Sequence, residues 1–188
     1  MDKKEYKKTF ENYLNKYDCT NPQIKFKIDH TYRVADIAYD IGCYVGKFNR
    51  GDEDLCWLIG LLHDIGRFEQ LKRYGTFSDA MSFDHADFGV EIIFKNELID
   101  TFLKNPDTGL CEPVTDRSVD EEKEIIRLAI GQHNKYKLME DLSTEKSLFC
   151  KVIRDADKID IFRVICETPF ELRMSLLWSS VFVTIWSK

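Results

Sequence analysis

The chain predicts an all-α fold, and three observations carry that reading. Apolar residues recur at helical spacing along most of its length, helix starts of recognisable chemistry divide those stretches, and no convincing strand alternation occurs before residue 181. A single helical bundle over 1–188, with ligand-type side chains turned toward a central cleft, satisfies all three.

Residues 2–17 place Tyr6, Phe10, Tyr13 and Leu14 on one face with Lys and Glu opposite, giving an amphipathic helix; residues 1–20 are read as peripheral scaffold. Asn21-Pro22 is a helix start, because Asn accepts from free amides and Pro fits the first turn. The following stretch, 21–46, aligns His30, Val34, Ile37, Ile41 and Val45. Gly51-Asp52 breaks and restarts the chain, with Asp52 read as the cap of a helix over 52–66 that aligns Leu55, Ile59, Leu62 and His63. Between Tyr74 and Asp84 the Gly-, Ser- and Asp-rich sequence YGTFSDAMSFD reads as a loop or broken helix overhanging a site. Helix 85–95 aligns His85, Phe88 and Ile92. A long connection, 104–118, ends in a capping box of Ser118 and Glu121, which opens a helix over 119–134 aligning Ile126, Ala129, Ile130 and His133. Ser143 or Thr144 caps a last helix that aligns Leu148, Val152, Asp155 and Ile159 and runs toward Arg163.

Residues 163–188 have no firm assignment. Within them, Leu176 to Trp186 is an uncharged, mostly apolar run of 11 residues, short of the about 20 a membrane-spanning helix needs. A final helix, a strand, a homodimer contact, or the tail of a longer protein would each accommodate it.

At 188 residues, with 44% apolar and 13% aromatic residues, the chain can bury one sizeable core and has the composition of a soluble globular domain. The net charge of −6 leaves no broad basic surface, which argues against a long nucleic-acid partner, yet local cations and a metal can hold a small anion in an acidic protein. Six scattered cysteines without a CxxC, and an N-terminus that is not a signal peptide, point to a reduced cytoplasmic protein with no membrane association.

The chain has four histidines, and His30, His63, His85 and His133 each fall on the apolar face of a predicted helix. With Asp64 directly after His63, and Asp155 late in the chain, the order is H…HD…H…H…D. One His-Asp pair proves little, since 19 aspartates and four histidines yield about 0.4 by chance. Joint inward placement is stronger evidence, because burying several ionisable groups without partners costs several kcal/mol each, and a shared cation relieves that.

These residues resemble the HD-domain superfamily of metal-dependent phosphohydrolases. His30 in HTYRVADIA, His63-Asp64 in LLHDIGR and Asp155 in IRDADKID carry the likeness, which spans about 30–160. The resemblance implies that His30, His63, Asp64 and Asp155 hold one metal. It further implies that His85 in FDHADFG and His133 in IGQHN hold a second, with Asp64 bridging. Arg67 stands where some binuclear members have lysine, and the Gly-Tyr-Pro signature of the cyclic-dinucleotide phosphodiesterases is absent.

Imidazoles with carboxylates suit Fe, Mn, Zn, Co or Ni, and the expected complement is two divalent ions per chain. Two such ions activate a hydroxide and polarise phosphoryl oxygens. The expected reaction is therefore hydrolysis of a phosphomonoester or phosphodiester of a small nucleotide-like or phosphorylated metabolite. A di-iron oxygenase of the same superfamily and a nucleotide sensor without turnover are the alternatives. Asp64 and Arg67 are the expected catalytic residues, Arg67 as a planar phosphate donor or, equally, a surface arginine at a helix end. Arg67, Gln70, Tyr74, Asn134 and Lys135 are the expected substrate contacts. Lys158 is read as pairing with Asp157 or Asp160, and one of Asp29, Asp84 and Asp87 as holding an imidazole N–H.

Overall fold

In a computed structural model of the protein, residues 3–45, 47–49, 51–95 and 97–167 are described. The Leu176–Trp186 run lies outside them. Helices account for nearly all regular structure among the described residues: α1 (Lys3–Leu14), α2 (Pro22–Tyr44), α3 (Asp52–Leu62), α4 (Ile65–Tyr74), α5 (His85–Lys95), α6 (Leu98–Leu103), α7 (Val119–Gln132) and α8 (Thr144–Glu167). A 3-10 turn at Asp79–Met81 and an isolated bridge between Lys104 and Cys111 complete the set.

The caps show why the helices start where they do. Asn21 accepts the Gln23 amide at the start of α2, Ser118 and Glu121 form the reciprocal box at α7, and the Ser143 hydroxyl accepts the Lys146 amide ahead of Thr144. Asp52 is not the cap of α3. Gly51 fills that position at φ 84°, a left-handed conformation natural to glycine, while the fully buried Asp52 accepts the Asn49 amide and pairs with Arg117.

The predicted helix over 52–66 is two helices, with the chain turning at His63-Asp64 between α3 and α4. α3 runs through the middle of the bundle, so Leu55, Trp57, Leu58, Leu61 and Leu62 are fully buried, and α2 packs along it. α1 closes one side by stacking Tyr6 on Trp57 and setting Phe10 edge-on to Phe68. α8 lies across α2 and α7, and α5 sits between α4 and α7. This arrangement aims the middle of α2, the α3–α4 turn, the start of α5, the end of α7 and the middle of α8 at one point.

Candidate metal centre

His30 comes from mid-α2, His63 and Asp64 from the α3–α4 turn, His85 from the first residue of α5, His133 from the end of α7, and Asp157 from α8. The histidines and Asp64 are each at most 5% exposed. α4 and α5 meet so closely that a Cβ on Gly66 would overlap the His85 carbonyl oxygen, so the absence of a side chain there sets how near His85 comes to Asp64.

Each imidazole is held by Nδ1. His63 Nδ1 donates to the Gly60 carbonyl and His133 Nδ1 to the Ile130 carbonyl, both at 2.7 Å, using carbonyls of the last helical turn. His30 Nδ1 meets Asp160 Oδ2 and His85 Nδ1 meets Asp79 Oδ2, again at 2.7 Å. Burial raises the pKa of both carboxylates, but hydrogen bonds from the histidines and neighbouring cations outweigh it, so both lie below the usual range and accept. With Nδ1 donating, each of the four rings, whenever it is neutral, turns an Nε2 lone pair inward.

Asp64 stands between two imidazole pairs. Its Oδ2 lies 3.5 Å from Nε2 of both His30 and His63, and its Oδ1 lies 3.4 Å from His85 Nε2 and 3.8 Å from His133 Nε2. Asp157 Oδ1 joins the first pair, 3.2 Å from His30 Nε2 and 3.7 Å from His63 Nε2. Burial pushes the Asp64 carboxyl up, and the Lys27 ammonium with the imidazoles outweighs it, holding the pKa well below the carboxylate range.

Electron pairs therefore face electron pairs. The Nε2 atoms of His85 and His133 are 3.0 Å apart, and buried His63 Nε2 has no hydrogen-bond partner. Burial, the Arg67 charge and neighbouring His133 all oppose protonation of His85, whose pKa falls to about 4 despite Asp79 and Asp64. His30 differs: burial and Lys27 lower its pKa, while Asp157, Asp160 and Asp64 outweigh them and raise it to about 9. Divalent cations fit this donor set, since they accept from every inward lone pair at once and replace the His30 proton. Among the groups of atoms drawn close enough for one ion, His30–His63–Asp64 and Asp64–His85–His133 share Asp64, and His63–His133–Asp157 links the two.

Asp155 does not join them. It is exposed, and Asp157 supplies the α8 carboxylate. Two residues on a helix are about 200° apart, so only one of the pair can face the site. The imidazole-holding carboxylates also differ from those expected: Asp79 and Asp160 do this, Asp29 is exposed, and Asp84 and Asp87 both pair with Lys135. Asp84 further caps α5 by accepting the Ala86 and Asp87 amides.

A cleft of about 280 Å³ opens over the centre. Arg67 lines it but is 5% exposed rather than a surface residue. Its Nη1 is held by Gln70, Asp79 and the Phe77 carbonyl, and its buried Nε has no hydrogen-bond partner, 3.6 Å from Asp64 Oδ1. Gln70 is fully buried and spends its amide on Asp79, Ser82 and the Phe83 carbonyl, so it pins the loop and does not line the cleft. Tyr74 is half exposed against Phe83, off the cleft. Asn134 and Lys135 do line the cleft, both tied to Asp84. Arg154 on α8 donates to the carbonyls of Gln132, Lys135 and Tyr136, clamping the end of α7.

Lys27 escaped the sequence reading. Buried on α2, it donates to Asp64 Oδ2 at 2.7 Å, and its place three residues before His30, on the same face, is the signal that could have found it. Lys158 pairs with neither Asp157 nor Asp160 and instead lines the cleft; Asp160 is taken by His30, Arg33 and Arg163.

The HD domain family model matches residues 28–161, and the chain belongs to that family. HD domains are all-α and bind divalent metals, as the fold and the His/Asp clusters here fit, and membership places the chain within a superfamily of metal-dependent hydrolases. No curated protein and no solved structure matches it significantly. Among the described residues, no helix is long and apolar enough to cross a membrane.

Proposed function

We propose that the protein is a phosphohydrolase that cleaves a phosphomonoester or phosphodiester of a small nucleotide-like or phosphorylated metabolite, using two divalent transition-metal ions. The observation that carries this reading is the division of Asp64: one carboxylate oxygen faces His30 and His63, the other His85 and His133. Two ions bound there would make a water nucleophilic near neutral pH and polarise the phosphoryl oxygens.

The remaining work falls to the chain. Asp64 stays ionised because its pKa is depressed, and His85 stays neutral near pH 7 because its pKa is about 4. The Nη1 anchors of Arg67 fix the guanidinium at the cleft wall, with its buried Nε against Asp64, so its positive charge faces the place an anionic ester would take. Lys158 adds positive charge at the cleft wall, while the Lys135 ammonium is shared with Asp84 and Asp87, so an anionic ester meets a cation inside an otherwise acidic protein.

The test is phosphate release from a panel of nucleotides and small phosphoesters with Mn²⁺ or Fe²⁺, with the Asp64→Ala protein as control. Release by the parent protein alone is expected. Oxygen consumption without phosphate release would overturn the hydrolase reading in favour of an oxygenase.

A further inference from the structure

Both helices that flank the centre change character one turn away from it. On α8, Asp157 faces the imidazoles and Ile161 follows four residues later; Lys158 and Phe162 repeat the step. On α2, Phe26 precedes His30 by four residues. Residues four apart share a helix face, about 6 Å along the axis. Phe26, Ile161, Phe162 and Val164 therefore form an apolar shelf, and they line the same cleft as His30, Asp64, His85 and Asp157. Phe162 is 57% exposed, unusual for a phenylalanine on a helix that buries its other face. Beside it, Lys158 has no ion-pair partner among the described residues.

A sugar or polyol phosphate has no use for such a shelf, since its hydroxyls would be drawn from water against side chains that cannot hydrogen-bond. A flat ring does, stacking on phenylalanine while its phosphate reaches the cations and the metal ligands. A cleft volume of about 280 Å³ leaves room for a ring system with its ester.

Building on the phosphohydrolase reading, we infer that the substrate is a phosphate ester with a ring-bearing organic part, such as a nucleoside, and that Phe26 and Phe162 select it by packing against the ring.

Binding can be read apart from cleavage. Two uncleavable phosphonates, in which methylene replaces the ester oxygen, differ only in the base: one is the analogue of a nucleoside 5′-monophosphate, the other of ribose 5-phosphate. Calorimetry on the full chain with Mn²⁺ should show the base-bearing compound at least about tenfold tighter. Phe162→Ala should bring its affinity down toward that of the ribose analogue, leave the ribose analogue within about twofold, and be rescued by Phe162→Trp; Phe26→Ala should act in the same direction. Equal affinity for both compounds overturns the inference, whether the shelf is filled by another part of the chain, by a second copy, or by nothing. The two readings fail separately. A base preference without hydrolysis of any ester sinks the hydrolase and keeps the shelf, whereas hydrolysis with equal kcat/KM for esters with and without a base does the reverse.

Discussion

Asp155 and Asp157 stand on opposite sides of α8, the first in solvent and the second 3.2 Å from His30 Nε2. Substituting each by alanine should separate them: Asp157→Ala should lower bound metal by at least half and turnover by two orders of magnitude or more, while Asp155→Ala should leave both within about twofold. Metal analysis of the purified proteins decides, and equal losses in the two variants would contradict the assignment.

Asp64 faces both imidazole pairs, so its removal reaches further than that of any one histidine. Asp64→Ala should abolish retention of both ions, whereas His85→Ala or His133→Ala should lower the content from two ions to about one per chain. Unchanged content in both histidine variants would leave a single-ion site.

Asp79 and Asp160 contact no substrate in this reading and act through the rings they hold. Asp79→Asn and Asp160→Asn should each weaken metal affinity by about 10- to 100-fold. Competition against a chelator measures it, and affinities matching the parent would remove the positioning role.

Acidity should act through His30. Its folded pKa of about 9 lies above the ordinary 6.5, so in metal-stripped protein this group contributes stability fully below about pH 6.5 and loses it as pH rises through about 9. Melting temperature of the stripped protein should therefore drop across that window. Loading with metal displaces the proton, so proton release at pH 7.5 is expected, and metal affinity should fall on acidification. A pH-indicator titration without release would contradict this.

Gly66→Ala should lower stability by about 1–3 kcal/mol, because the added methyl meets the His85 backbone instead of a movable side chain. Chemical denaturation gives the number; a neutral result would mean that α4 and α5 separate freely.

The sequence made the bundle legible because its caps and stripes obey local chemistry, as Asn21, Ser118 and Ser143 show. The α3–α4 turn was not legible: LLHDIGR continues a helical pattern, and only tertiary packing shows that His63 ends one helix and Ile65 starts another. The last carboxylate was misplaced for a related reason. α8 carries apolar residues around its circumference, with Ile159 and Phe162 exposed and Ile153 and Val164 buried, so its period did not fix the face of Asp157. Asp79 sits in a connection without any period, which hid both its bond to His85 and its hold on Arg67.

The Arg154 clamp ties α8, which brings Asp157, to the end of α7, which brings His133. Those two elements reach the centre tied to each other, and the Nδ1 anchors hold the rings. Little rearrangement of the chain then remains when an ion arrives. The pace of loading should follow how quickly an ion sheds its own water, so Mn²⁺ should enter faster than the slowly exchanging Ni²⁺ even where Ni²⁺ is finally held more tightly.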